Sequence, residues 1–486
     1  MNPLNLLLAS PLFAIFYIIL FCKNDDNSRS IAKAVGITLA AGIFALTFYI
    51  MRQFILYAKV FYYSVDIGFF QYSVEINGMS ILFIMLTSIL TLICIVSSKY
   101  SIQTRAKEYL VHFFFLEFAI FGVFLTRDIV MFYIFFELTL VPMFFIIGIW
   151  GGKNRVYSTF KLFIYTFSGS VLFLIAVIYL VIKYDTTSIL QLIYSMSHQS
   201  NMALSANVEK ILWFMCFIAF AVKIPMVPLH TWLPNAHVEA PTSGSVILAG
   251  ILIKLGGYAM ITILLPLFPR ASVYFQDFVI ILSIIAIIYA SIVALQQNDI
   301  KKMIAYSSIA HMGYVTVSIF TFTQDGFAAA IFQMISHGIV SGALFLSIGV
   351  LYERLHTRDF SAFGGVVQKM PKFAFILMIL TMASVGLPGT SGFVGEFIAI
   401  ISVFHISAIY GILVATGMVL GACYMLIMYK KTMFGEITNP KINTIQDLTR
   451  TEIFTLGTLC ILCLFLGVYP RAILEIVPLF NLAMYL

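Results

Sequence analysis

Charge is scarce in this chain. Asp, Glu, Lys and Arg supply 10% of its 486 residues, whereas 61% are hydrophobic and the mean hydropathy is +1.02. Soluble domains carry about 25% charged residues, so a water-soluble body of any size is excluded. Cysteine is sparse too, at positions 22, 94, 216, 423, 460 and 463, all within or at the rim of apolar runs. Cys460 and Cys463 stand one helical turn apart, but no second pair, histidine or carboxylate completes a coordination set, so free thiols and no metal are expected. Iron–sulfur spacing, haem ligation, a Rossmann fingerprint and a P-loop are all missing. Redox chemistry and nucleotide hydrolysis have no visible home here, and no cofactor is expected in the chain itself.

What remains is apolar length. Runs of about 20 apolar residues, enough to span ~30 Å of hydrocarbon, recur at 3–22, 31–51, 79–98, 108–126, 128–148, 159–182, 209–232, 241–265, 274–296, 300–320, 326–351, 372–404, 406–429 and 453–473. The expected fold is an all-α polytopic membrane bundle of about fourteen transmembrane helices. The net charge of +7 is distributed for topology rather than for nucleic acid. Lys and Arg gather in or beside the connections after odd-numbered spans, such as Lys99, Arg105 and Lys107 or Arg354, Arg358, Lys369 and Lys372. By the positive-inside rule those connections face the cytoplasm or matrix, which puts both termini on the outer side. The N-terminus shows neither an Arg-rich amphipathic presequence nor a small-residue cleavage site, so the first span is expected to be retained.

The chain also repeats. Five spans over 108–266 match five over 274–431 in length, and the fourth of each set is interrupted. Pro225 and Pro228 follow Lys223 in the first set, and GLPGTSG, Gly386 to Gly392, precedes Glu396 in the second. An odd number of spans per unit makes the second unit inverted. Inverted repeats with matching broken helices point to a transport site near the midplane. The expected divisions are 1–107, three N-terminal spans; 108–266 and 274–431, the two five-helix repeats; and 432–486, a C-terminal span.

Against this background a few titratable groups stand out. Lys223 and Lys254 have more than a turn of apolar residues on both sides, and Glu117, Glu137, His311, His337 and Glu396 lie in similar surroundings. A charge at the bilayer centre costs about 3 to more than 10 kcal/mol, so such residues face protein or water and act there. At 1.5 Å rise per residue, Glu117 and Glu137 both lie roughly 15 Å from the turn at Arg127–Asp128, and His311 and His337 roughly 18 Å into their spans. One mid-depth layer of groups that bind and release protons reads as a lateral proton route. The bland alternatives are specific. His337 sits between Ser336 and Gly338 near Ser341 and Gly342, a helix-packing pattern. Glu117 would serve only to tune Glu137. His230 and His237 flank the first break without a third ligand, which rules out a metal site.

The stretch KIPMVPLHTWLPNAHVEAPTSGSVILAGILIKLGGY, Lys223 to Tyr258, resembles the proton-translocation segment of the antiporter-like subunits of respiratory complex I. QQNDIKKMIAYSSIAHMGYV, Gln296 to Val315, and LPGTSGFVGEF, Leu387 to Phe397, resemble two further blocks of that family, and FFELTLVPMFFIIGIWG, Phe135 to Gly151, narrows the likeness to one branch. The resemblance runs over nearly the whole chain and weakens in the first hundred residues.

It implies a proton-translocating membrane subunit of NADH:quinone oxidoreductase. NADH, FMN, iron–sulfur clusters and quinone would sit in partner subunits, and two other antiporter-like subunits would share the membrane arm. The setting would be the mitochondrial or bacterial inner membrane. It further implies roles: Glu137 as the ion-pair partner controlling Lys223, Lys254 as the onward carrier, His311 as the bridge between repeats, and Glu396 as the distal acceptor where sister subunits more often have Lys. His337, Glu117 and His230 would be auxiliary. HTWLP is commonly followed by Asp, and here Asn235 is neutral. Two other readings share these segments or this composition: a subunit of an Mrp-type cation/proton antiporter, and a passive membrane scaffold.

Overall fold

A computed structural model describes residues 2–22, 29–57, 61–66, 68, 71–198 and 203–477. Among them, eleven helices are long and apolar enough to cross a membrane. The expected spans 209–232, 300–320 and 372–404 correspond to helices that are shorter or less apolar: Ala206–Lys223, Ile300–Ile319, and the pair Pro371–Val385 and Ser391–Phe404. The architecture is polytopic and mostly helical, as expected. A two-stranded antiparallel hairpin, Phe61–Asp66 with Gln71–Ile76, adds a small extramembrane element.

Both helix breaks fall where proline and glycine put them. The helix Ala206–Lys223 stops at the lysine, because Pro225 and Pro228 cannot donate backbone hydrogen bonds. A new helix begins at Trp232, whose indole Nε1 donates to the freed Val222 carbonyl at 3.0 Å. The second break follows Val385, where Gly386 takes φ +85°, a left-handed conformation that favours glycine. Ser391–Phe404 then carries Glu396 at its second turn.

Two central segments form the axis of the molecule. Gln324–Leu355 is buried throughout its most apolar stretch, and Thr242–Leu267 is nearly so. Their close approach depends on Gly250 and Gly338: a Cβ on Gly338 would lie 2.8 Å from the Gly250 carbonyl oxygen. Thr242–Leu267 is not a plain helix. It widens over Leu248–Leu252 and Met260–Leu264, with Ile253 N donating to the Leu248 carbonyl five residues back at 3.3 Å. Such wide turns concentrate at functional sites, and these two flank Lys254. The outermost helices, including Pro3–Phe21 and Arg155–Tyr184, leave most of their apolar surface uncovered, as contact with lipid or neighbouring subunits requires.

Candidate proton-relay site

Lys254 is fully buried, and no carboxylate lies within ion-pair distance of it among the described residues. Its Nζ donates to the Ala249 carbonyl within the widened turn and shares a hydrogen bond of 2.6 Å with His337 Nδ1. A hydrogen bond between two nitrogen bases needs one proton between them, and either base can hold it. The His337 ring lies 5.4 Å from the His311 ring, centroid to centroid. His311 Nδ1 in turn meets Glu396 Oε1 at 2.6 Å. Gln333 Nε2 donates to the same carboxylate oxygen at 3.1 Å. Four of the residues singled out from sequence are thus brought into one row on three helices and the second broken helix.

The gap in that row is polar and enclosed. His311, His337, Gln333, Ser336, Ser384 and Glu396 help line a cavity of about 10 Å³, room for roughly one water molecule. His337 Nε2 and Gln333 Oε1 have no protein partner, and each is a group that a water can satisfy. His337 stands where either expectation would put it: its glycine neighbour packs against Thr242–Leu267, and its ring contacts Lys254 and faces His311.

In the first half the arrangement is looser. The helix Ile129–Leu138 is capped by Asp128, whose Oδ1 accepts from the Val130 and Met131 amides at 2.9 Å. Glu137 lies in the last turn of that helix, half-buried, with Oε1 unpartnered. It lies within electrostatic reach of Lys223, but no contact within 4.0 Å joins them among the described residues. Lys223 Nζ donates instead to Thr139 Oγ1 at 3.0 Å. Glu117 is buried with Oε2 unpartnered, outside the row. His230 is buried against Tyr289 and Tyr306, with Nδ1 unpartnered. Asn235 accepts from Lys161 Nζ at 3.1 Å, so the neutral amide still engages a cation.

Sequence reading missed three residues. Gln333 stands four positions before His337 in an apolar span, hence on the same helix face, and that spacing was the available signal. Thr139 gave none, because one hydroxyl in a span is common. Lys301 was hidden at a helix start; it is buried, and its Nζ donates to the Ala240 carbonyl at 2.6 Å. Lys301 lines a cavity of about 600 Å³ together with Glu239, Glu353, His356, Arg358 and Trp150. Its walls come from the ends of several helices and the loops beside them, including Gln103, Gly151, Val238, Thr242 and Tyr352.

Fold and site together define an antiporter-like membrane protein with an internal row of titratable groups. A family profile described as NADH:quinone oxidoreductase/Mrp antiporter, transmembrane, matches residues 126–422. "NADH-quinone oxidoreductase subunit M" of Rickettsia prowazekii is 49% identical over 474 residues, 96% of this chain and 95% of that protein. "NADH-ubiquinone oxidoreductase chain 4" of Chondrus crispus is 41% identical over 480 residues, 98% and 96% of the two chains. Among solved structures, a chain of respiratory complex I from Thermus thermophilus with bound NADH superposes with a TM-score of 0.86 at 25% identity, covering 98% of this chain and all of that one. A chain of the Mrp complex from Dietzia sp. DQ12-45-1b shares the fold, with a TM-score of 0.84 at 19% identity over 98% and 96% of the two chains. The chain belongs to the antiporter-like membrane subunits of NADH–quinone oxidoreductase, in the subunit M or chain 4 branch.

Proposed function

We propose that this subunit moves protons through Glu137, Lys223, Lys254, His337, His311 and Glu396, driven by redox energy released in partner subunits. The observation that carries the reading is the Lys254–His337 and His311–Glu396 pair of 2.6 Å contacts on either side of a water-sized cavity. The flavin, iron–sulfur clusters and quinone belong to those partners, and two further antiporter-like subunits adjoin this one in the membrane arm. The interrupted helices support the division into two inverted five-helix repeats, 108–266 and 274–431, between a 1–107 leading section and a 432–486 closing one. Both termini face the outer side of a bacterial or mitochondrial inner membrane. Relatives named for the quinone oxidoreductase favour this over an Mrp-type antiporter, whose likeness extends to the fold alone. Redox-driven ΔpH formation in vesicles holding the intact complex tests the function.

Physically, the two halves need a gate. Desolvation favours the neutral form of both a lysine and a glutamate, while closeness of the two favours their charged forms. Movement of the Glu137 carboxylate toward or away from Lys223 therefore changes how firmly the lysine holds its proton. Glu137→Gln keeps the size and removes the charge. It is expected to cut proton pumping to about a tenth while leaving the complex assembled, because an amide exerts no comparable field on Lys223. Pumping at the wild-type level in this variant would remove Glu137 from the gate.

Intake is assigned to the 600 Å³ cavity on the positively charged face. His237, two residues before its Glu239 wall, is fully buried with both ring nitrogens unpartnered and its ring stacked on Phe345 at 4.4 Å. Lys301→Met is expected to slow pumping several-fold at an unchanged initial rate of uncoupled NADH oxidation. Equal pumping rates would place the intake elsewhere.

A further inference from the structure

A protonated lysine away from its carboxylate still needs acceptors, and this chain supplies a set of them for Lys223. Nζ lies 3.0 Å from Thr139 Oγ1, 3.5 Å from the Phe136 carbonyl oxygen and 4.6 Å from the centroid of the Phe136 ring. The Thr139 hydroxyl proton is already given to the Phe136 carbonyl at 2.8 Å, so Oγ1 meets Nζ as an acceptor. A hydroxyl oxygen, a carbonyl oxygen and an aromatic face all favour an ammonium group, and none of them is charged.

Local sequence builds the seat. Pro142 withholds the backbone N–H that would meet the Leu138 carbonyl four residues earlier, and the helix steps at Thr139 between Ile129–Leu138 and Leu140–Trp150. Thr139 is fully buried at that step. Meanwhile Glu137, two residues away, keeps Oε1 unpartnered.

We propose that Thr139 is a positioning residue: its hydroxyl is the second seat of the Lys223 ammonium, occupied when the Glu137 carboxylate has withdrawn. This rests on the relay reading above. In the first seat the lysine faces the carboxylate. In the second it stays protonated without a counter-ion, from where it passes its proton on toward Lys254. Without the hydroxyl, withdrawal of Glu137 leaves the ammonium only the Phe136 carbonyl at 3.5 Å and the Phe136 ring face at 4.6 Å, and the gate loses the nearest acceptor of its loaded intermediate position.

The test uses the intact complex in vesicles, with NADH oxidation, ΔpH formation and subunit content on native gels measured together. Thr139→Val, which keeps the shape but not the hydroxyl, is expected to lower protons pumped per NADH by about tenfold, the scale of one hydrogen bond to a charged group. Thr139→Ser, which keeps the hydroxyl but not the methyl, should stay within about twofold of wild type. If the valine variant fails to assemble, Thr139→Ala against Thr139→Ser isolates the hydroxyl alone. Equal pumping by the hydroxyl-bearing and hydroxyl-free variants overturns the proposal, as does the reverse order, which marks a packing role for the methyl group. Glu137→Gln measured in parallel separates the two claims. Full pumping there refutes the relay reading, whereas loss there beside normal Thr139→Val pumping refutes the second seat alone.

Discussion

A complex carrying Lys254→Met is expected to retain less than about a tenth of redox-driven proton pumping while keeping its full set of subunits. Methionine fills the lysine's volume and adapts to irregular apolar space, so the central helices should still pack. It carries no exchangeable proton, however. His337 Nδ1 loses its 2.6 Å partner, and the Ala249 carbonyl in the widened turn loses its donor. Protons arriving from the Lys223 side then have no base to enter at the head of the His337–His311–Glu396 row. Measuring ΔpH against NADH oxidation separates this from loss of assembly, and wild-type pumping in the methionine variant would take Lys254 out of the route.

Glu396→Ala should be nearly as damaging, and Glu396→Lys markedly less so. Glu396 Oε1 shares a hydrogen bond with His311 Nδ1 and accepts one from Gln333 Nε2; alanine leaves both nitrogens buried without that partner. A lysine can titrate in the same place, and Gln333 Oε1, now without a partner, can accept from it. Pumping near a tenth of wild type for alanine and a substantial fraction for lysine is the expected result. Equal activity in the two variants would make Glu396 an anchor of the broken helix rather than a proton acceptor.

Much of this site was legible because a membrane makes charge conspicuous. Lys254, His311 and Glu396 stand out from their apolar spans, and helical rise alone put His311 and His337 at a common depth. Both helix breaks were equally plain, since proline lacks a donor and Gly386 adopts a left-handed backbone. Rotation about a helix axis was not legible. Depth arithmetic set Glu137 at mid-membrane, but it could not tell that Lys223 Nζ would rest on Thr139 rather than on the carboxylate. The widened turns around Lys254 were hidden too, since no residue in LAGILIKLGGYAMITIL announces them. Gln333 was missed for its neutrality, although its amide donates to the Glu396 carboxylate. The hairpin at Phe61–Asp66 and Gln71–Ile76 was missed because two six-residue strands are easily lost in a connection between long spans.

The most direct test of the relay is Lys254→Arg in the intact complex, assayed for ΔpH in sealed vesicles during NADH oxidation. Arginine keeps the positive charge and the hydrogen-bonding capacity, but its guanidinium does not give up its proton in proteins. The relay account predicts an assembled, electron-transferring complex that pumps almost as poorly as the methionine variant. An assembled complex with Lys254→Arg that pumps at the wild-type rate would contradict it, leaving Lys254 as a fixed charge that holds the helices together.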